Sequence, residues 1–411
     1  MIVKLRRSVN IRGIFPRSGA DLKAELDALG CSPDEVRAIS AVVPLFLKID
    51  ALSVKEAKNL SRIAHSIGDG CTAYIGGADE KKSSSSAIVL LRKDQINAFC
   101  GQLRSKESNL QALADRIEAL SAQDLPTGRS FAVRNRTYFR TVRPFIMGIL
   151  NVTPDSFSDG GRYFDSGRAF ERGIEMAQQG ADFIDVGGES SRPGAEPVSE
   201  DEEVSRVIPL IKRLAAELEI PISIDTTKAA VAKKALEAGA QIVNDISALR
   251  WDADMAKVVA DSGATLVLMH MKGDPRSMQK SPYYDDLMSE VHGFLKDRVR
   301  AALETGIPKE RILVDPGIGF GKRLGDNFEL LGRLQEFRDL GAVAIGPSRK
   351  SFIGYILNLP VEEREWGTAG AVAVAAYHGA DVIRVHDVEK MLQVARIAYQ
   401  CRLGTARESR S

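Results

Sequence analysis

A short pattern recurs five times in the last two thirds of this 411-residue chain, and it constrains the fold more than any other feature. Each copy has a helix-like segment, then Gly-Ala, then a short apolar run rich in β-branched residues. The Gly-Ala pairs begin at Gly180, Gly239, Gly263, Gly341 and Gly379. A glycine at this place is typical of the left-handed residue that ends a helix. The apolar run indicates a strand buried on both faces, so the pattern predicts alternating helices and strands in a parallel sheet.

Three more apolar runs, at residues 145–150, 222–224 and 312–314, bring the predicted strands to eight. The span 143–401 has about 260 residues, close to the roughly 250 of an eight-stranded (β/α) barrel. A doubly wound open sheet is the competing architecture. It usually has fewer strands, and no Gly-x-Gly-x-x-Gly motif opens the first unit. We therefore predict the α/β class, with a (β/α)8 TIM barrel after a smaller N-terminal domain.

The first part of the chain lacks the repeat and contains no recognisable catalytic constellation. Its periodicity predicts strands at 43–49 and 87–91 and helices at 54–67, 93–103 and 110–120. This is a small α/β or α+β domain, for which a structural or oligomerisation role is the simplest interpretation. The predicted organisation is an N-terminal domain at 1–125, a linker and barrel entry at 126–142, a catalytic barrel at 143–401 and a flexible tail at 402–411.

Composition excludes several classes of protein. Lys and Arg number 56 against 55 Asp and Glu, so the net charge of +1 argues against a protein that coats nucleic acid or an anionic membrane. The four cysteines, Cys31, Cys71, Cys100 and Cys401, are too scattered to indicate a zinc site or a disulfide framework. No apolar run reaches the roughly 18 residues of a membrane span, and the N-terminus lacks the apolar core of a secretory signal. We expect a soluble cytoplasmic protein without nucleic-acid or membrane partners.

Polar side chains follow every predicted barrel strand, at the end where barrel enzymes carry their active sites. In chain order they begin at Asn151, Asp185, Asp225, Asn244, His270, Asp315, Ser348 and Arg384. Each has a simple explanation when taken alone, since an Asp after a strand commonly caps the next helix. Likewise, the Gly-Ile-Gly-Phe-Gly-Lys string ending at Lys322 is only a weak phosphate-loop signal, because glycines also serve tight turns. Eight such groups at one end of one barrel indicate a functional site.

The types of side chain indicate a ligand with two parts. Basic groups come from the loops after strands 2, 7 and 8, at Arg192, Lys350, Arg384 and His386, and such a cluster favours a diphosphate. Asn151 and the acidic loop after strand 1 suit a hard cation such as Mg²⁺ beside that phosphate. Carboxylates and an amide after strands 3, 4 and 6 suit the hydrogen-bonding edge of a flat heterocycle. The first two loops are long and rich in Gly, Ser and Pro, which is typical of mobile covers.

Four strings carry a specific resemblance. They are GILNVTPDSFSDGGR at 148–162, DVGGESSRPGAE at 185–196, DPGIGFGK at 315–322 and SRKS at 348–351. Together they resemble the dihydropteroate synthase family over about residues 143–400. The resemblance implies a (β/α)8 barrel that joins 7,8-dihydropterin-6-ylmethyl diphosphate to 4-aminobenzoate and releases pyrophosphate. It also implies a dissociative substitution without a protein nucleophile, and commonly a homodimer.

The resemblance also implies roles for individual residues. The pterin ring would be held by Asp225, Asn244, Asp315 and Lys350, and Met269 would also bind substrate. The diphosphate would be bound by Asn151, Arg384 and His386, with Mg²⁺ on Asn151. The first two loops would close over the site and help form the aminobenzoate pocket through Thr153, Asp155, Phe157, Ser191, Arg192 and Pro193, with Ser351 near the carboxylate. Asp155, Arg192 and Lys350 would be catalytic. Position 191 is often Thr in the family, and Ser keeps the hydroxyl.

Two alternatives stay open from the sequence. A methyltetrahydrofolate-dependent methyltransferase would share the pterin-reading Asp and Asn positions, but it need not carry the first two strings or the SRKS string. A non-catalytic pterin-binding barrel would need some of these positions to be altered, and every matched position is intact. The strings therefore favour the synthase.

Overall fold

The computed structural model of this chain describes residues 44–68, 70–76, 85–106, 110–121, 130–140, 142–152, 166–190 and 197–403. The chain divides into two compact units, Met1–Pro126 and Thr127–Ser411. No helix among the described residues is both long enough and apolar enough to span a membrane.

The described part of the first unit, from Pro44 to Ser121, contains one sheet and three α-helices. In chain order its elements are β1 Pro44–Leu52, α1 Val54–Ile67, β2 Thr72–Gly76, β3 Ser85–Arg92, α2 Ile96–Lys106 and α3 Gln111–Ser121. The strands are antiparallel in the order β1-β3-β2. Leu60, Phe99 and Ile117 from the three helices share one apolar core with Val89 of β3. The sequence predicted all of these elements except β2, a five-residue edge strand too short to show a clear periodicity.

The second unit opens with a β-hairpin, β4 Ser130–Val133 and β5 Arg136–Phe139, in the region predicted as linker and barrel entry. Phe131 and Tyr138 stack at 5.4 Å between ring centroids and contact Phe145 and Phe183, which lie at the starts of two barrel strands. The hairpin therefore closes the N-terminal end of the barrel. The sequence analysis predicted no strands at residues 130–139, because the arginine-rich composition hid an aromatic pair that packs on the barrel floor.

The barrel has eight parallel strands that alternate with helices and close on themselves in chain order. Strands β6 to β13 are Phe145–Asn151, Phe183–Gly187, Ile222–Asp225, Ile242–Asp245, Thr265–Met269, Ile312–Asp315, Ala342–Ile345 and Val382–Val385. The helices are α4 Ser166–Gln178, α5 Glu200–Glu217, α6 Ala229–Glu237, α7 Met255–Ser262, α8 Leu287–Glu304, α9 Leu324–Gly332, α10 Ser351–Leu357, α11 Glu365–Tyr377 and α12 Val388–Leu403. The TIM-barrel prediction is confirmed, and the strands' carboxyl ends lie opposite the hairpin.

The glycines of the repeat do what the pattern predicted at four of its five positions. Gly180, Gly239, Gly263 and Gly379 have positive φ angles, between 66° and 118°, where a residue with a Cβ is strained. Gly341 is the exception and has no positive φ. It follows a 3-10 turn, and a Cβ at this position would lie 2.9 Å from the carbonyl oxygen of Ile312, so close approach of two backbones explains this glycine.

Candidate active site

A cavity lies at the carboxyl ends of the strands. It is lined by Asn244, Ile246, Met269, Asp315, Gly317, Ile318, Phe320, Gly346, Lys350 and Arg384. Five of these were candidate site residues from the sequence: Asn244, Met269, Asp315, Lys350 and Arg384. They come from five different strands or the loops that follow them. The barrel closure brings them together, because parallel strands place all their carboxyl ends at one rim.

Arg384 on β13 links two carboxylates across the mouth of the barrel. Its Nη2 donates to Asp225 Oδ2 at 2.6 Å, and its Nε donates to Asp185 Oδ2. The same Asp185 oxygen accepts a hydrogen bond from Asn244 Nδ2 at 3.2 Å. Asp185 is fully buried and orients both Arg384 and Asn244. The sequence showed Asp185 at a strand end but gave it no role, although that position was the available signal.

Burial shifts the pKa values of charged groups in the cavity and of Asp225, which pairs with Arg384. It raises the pKa of Asp225 to about 7, and the nearby Arg384 guanidinium opposes the rise. It raises the pKa of Asp315 to about 6, opposed by a 2.7 Å hydrogen bond from the Gly317 N–H. Burial, with Arg384 adding to the effect, lowers the pKa of Lys350 to about 8. Near neutral pH these groups can therefore act as hydrogen-bond donors or acceptors for a ligand.

Lys350, which lines the cavity, and His386 lie on the loops after β12 and β13 respectively. The Lys350 ammonium lies 4.0 Å from the ring centroid of Phe320, a cation–π contact. His386 Nδ1 lies 2.9 Å from Ser348 Oγ, a hydrogen bond between the two loops. Ser351 is the exposed first residue of α10. Phe320 was not among the predicted site residues, and its position inside the 315–322 string was the signal that could have found it.

Asn151 ends β6 and pairs in register with Gly187 of β7. A Cβ at Gly187 would lie 3.4 Å from Asn151 Oδ1 and 3.6 Å from the Cβ of Asp225. The bare glycine therefore leaves room beside the amide oxygen of Asn151, on the same rim as Asp225. The remaining predicted site residues, Thr153, Asp155, Phe157, Ser191, Arg192 and Pro193, lie outside the described residues.

The chain is similar to proteins of one family. A family model described as "Pterin binding enzyme" matches residues 147–386. Dihydropteroate synthase of Synechocystis is 49% identical over 290 residues, which are 69% of this chain and 98% of that protein. A crystal structure of the Yersinia pestis enzyme with a sulfonamide drug has a TM-score of 0.63 at 42% identity and covers 67% of this chain and 100% of that one.

A structure of the Xanthomonas albilineans dihydropteroate synthase with 4-aminobenzoic acid also matches, at TM-score 0.63 and 42% identity, over 68% of this chain and 100% of that chain. These relatives favour the synthase over the methyltransferase and over a non-catalytic barrel. The matched residues contain the rim and cavity described above. The chain belongs to the pterin-binding enzymes and, within them, to the dihydropteroate synthases.

Proposed function

We propose that the described rim binds 7,8-dihydropterin-6-ylmethyl diphosphate and promotes its condensation with 4-aminobenzoate to 7,8-dihydropteroate and pyrophosphate. The single observation that carries this proposal is the convergence of Asn244, Asp315 and Lys350 on one cavity, with Asp225 held beside it by Arg384. A flat, nitrogen-rich ring needs donors and acceptors in one plane, and an amide with two carboxyl groups of raised pKa supplies both.

The diphosphate half of the substrate needs positive charge at the rim. Arg384 and His386 lie on and just after β13, and an arginine that pairs with carboxylates can also pair with phosphate oxygens. Stabilising the pyrophosphate as it leaves is electrostatic catalysis, in which donors are placed where negative charge develops. No protein nucleophile is required in this substitution, since the amine of 4-aminobenzoate attacks the pterin methylene carbon.

Mg²⁺ fits this arrangement. Mg²⁺ commonly keeps several waters and binds through one or two protein oxygens together with substrate phosphates. The Asn151 amide oxygen is a hard donor of that kind, and Gly187 leaves the space beside it open. The described residues contain no group of three or more His, Cys, Asp and Glu side chains able to hold a metal without the substrate. Bound there, the ion would neutralise phosphate charge.

The aminobenzoate pocket extends the proposal to the first two loops. We assign Thr153, Asp155, Phe157, Ser191, Arg192 and Pro193 to it on the resemblance, with Ser351 near the carboxylate of the bound acid. The crystal structure of the Xanthomonas relative with 4-aminobenzoic acid supports this substrate class. Asp155 and Arg192 are proposed as catalytic together with Lys350.

Pyrophosphate release tests the proposal directly. Purified protein with Mg²⁺ and both substrates should release pyrophosphate in step with formation of 7,8-dihydropteroate, and omission of 4-aminobenzoate should abolish that product. Asn151→Ala and Lys350→Ala should each lower turnover by at least about 100-fold. Lys390→Ala, at an exposed lysine on α12, is the matched control and should leave turnover unchanged. A wild-type protein that forms no product would refute the synthase reaction, and an active Lys350→Ala would refute the site assignment.

We also propose that the enzyme is a homodimer. Tyr355, Trp366 and Ile397 are exposed by 77%, 82% and 69% and lie on α10, α11 and α12 respectively. Helix α11 packs against both of the other helices, so the three exposed side chains lie on adjacent helices. Large apolar side chains grouped on a surface are typical of protein–protein interfaces.

A further inference from the structure

The loop after β11 is a tight coil around one buried lysine. Three glycines of this loop, Gly317, Gly319 and Gly321, have φ angles of 69°, 80° and 60°. A Cβ at Gly317 would lie 1.9 Å from the carbonyl oxygen of His270, and one at Gly321 would lie 2.3 Å from that of Lys272. The loop is therefore packed directly on the backbone after β10, with no room for side chains at these two positions.

Lys322, which ends this glycine-rich string, points into the loop instead of toward the rim. It is only 3% exposed, and its Nζ lies 3.0 Å from the carbonyl oxygens of Gly317 and Phe320. Its third neighbour is His270 Nδ1 at 2.9 Å. The phosphate-loop interpretation of this string is therefore replaced by a structural one, because the ammonium binds the loop's own backbone.

His270 provides the third hydrogen-bond acceptor of this ammonium group. The ring is buried and packs edge-on against Phe294 at 4.8 Å between centroids. Burial and the adjacent Lys322 charge hold the pKa of His270 well below its usual range, so the ring is neutral and Nδ1 can accept a hydrogen bond. All three protons of the ammonium group then have an acceptor, as a buried lysine requires.

The loop that Lys322 holds carries parts of the cavity. The Gly317 carbonyl accepts from Lys322, while the Gly317 N–H donates to Asp315 Oδ1 at 2.7 Å. The Phe320 carbonyl also accepts from Lys322, and the Phe320 ring faces the Lys350 ammonium. A single buried ammonium thus connects to Asp315 on one side and to the Phe320–Lys350 contact on the other.

From this geometry we infer that Lys322 and His270 form a positioning pair for the pterin half of the substrate site. The pair touches neither substrate; it fixes the backbone that orients Asp315 and Phe320. The diphosphate half depends on Arg384, His386 and Asn151 and is independent of the pair. This inference rests on the proposed assignment of the two halves of the site.

Two probes separate the halves of the site. Binding of 6-hydroxymethyl-7,8-dihydropterin reports on the pterin half. Binding of inorganic pyrophosphate with Mg²⁺ reports on the diphosphate half. Both affinities are measured by isothermal titration calorimetry on the full chain. Lys322→Met should weaken pterin binding at least tenfold and change pyrophosphate binding less than twofold. Lys280→Met, at an exposed lysine, is the control and should change neither.

Variants of His270 provide a second test that does not depend on the folding of Lys322→Met. The Asn oxygen can occupy nearly the place of Nδ1, so His270→Asn should keep most of the pterin affinity, whereas His270→Leu should lose about as much as Lys322→Met. The inference would be overturned if Lys322→Met weakened the binding of pterin and of pyrophosphate to the same extent. Equal pterin affinity in His270→Asn and His270→Leu would also overturn it. If the wild-type protein binds pyrophosphate but no pterin, the proposed substrate assignment fails instead.

Discussion

Arg349 and Asp387 join the loops that follow the last two barrel strands: Arg349 Nη2 lies 3.0 Å from each carboxylate oxygen of Asp387. The two residues are the immediate neighbours of Lys350 and His386. Arg349 has a φ of 57°, a left-handed conformation that costs a non-glycine residue roughly 1 kcal/mol or more. Its backbone N–H donates to Thr368 Oγ1 at 3.0 Å, which helps to hold this conformation. The ion pair therefore stabilises the strained backbone that presents Lys350.

Breaking this ion pair should impair catalysis more than stability. Asp387→Asn should lower kcat/KM about three- to tenfold, because a partly exposed ion pair contributes on the order of 1 kcal/mol. Steady-state kinetics with both substrates measures the effect. Glu365→Gln, which breaks the exposed pair with Lys390 at 2.8 Å, is the matched control and should have unchanged kinetics. Wild-type kinetics in Asp387→Asn would show that the pair does not position Lys350.

Asp315 should make the free protein less stable as the pH rises. Its pKa is raised by burial to about 6, so the folded state binds more protons than the unfolded state between about pH 4 and 6. The free energy of unfolding therefore falls through that range. Asp315→Asn keeps an acceptor for the Gly317 N–H and removes the charge, so it should be more stable than wild type by on the order of 2 kcal/mol at pH 8.

Thermal unfolding at pH 4.5 and pH 8 compares the two proteins. The Tm difference in favour of Asp315→Asn should be small at pH 4.5 and larger at pH 8, while pterin affinity is lost. A Tm difference that does not change with pH would contradict the raised pKa of Asp315 in the folded protein.

The hairpin determines how many N-terminal residues can be removed without unfolding the barrel. Removal of residues 1–126 should leave a folded, active barrel, because the 290 residues matched in the Synechocystis synthase are 98% of that protein. Removal of residues 1–140 also deletes Phe131 and Tyr138 and exposes Phe145 and Phe183 at the barrel floor. Burying an aromatic side chain contributes about 2 kcal/mol or more, so this variant should unfold or aggregate. Circular dichroism measures the folding of the two truncated proteins, and pyrophosphate release measures their activity. A stably folded protein without residues 1–140 would contradict the conclusion that the hairpin is needed to cover the barrel floor.

A charge on the apolar surface of α11 should separate the proposed dimer. Trp366 is 82% exposed, so Trp366→Glu should not disturb the fold of the monomer. Light scattering should show a dimer for the wild type and a monomer for the variant at the same concentration. Phe139→Glu, at an exposed aromatic of the hairpin, is the control and should remain dimeric. A monomeric wild type, or a dimeric Trp366→Glu, would refute this interface.

The amino-acid sequence by itself determined the barrel and the rim. Local patterns mark the eight strands of the barrel, and the parallel arrangement places Asp225, Asn244 and Asp315 at one edge once the strands are counted. These features depend on residues close together in the chain, so a single sequence reveals them.

Only the tertiary structure decided which of these groups meet. Arg384 and Asp185 are 199 positions apart, and Lys322 and His270 are 52 apart. No local pattern shows that Arg384 links two carboxylates, or that Lys322 points inward. Likewise, nothing in the composition of residues 130–139 shows that they close the barrel floor. The physical reason is that the closed barrel brings segments that are distant in the chain to the same place. Which charged groups are buried, and which partners they pair with, therefore depends on the tertiary structure.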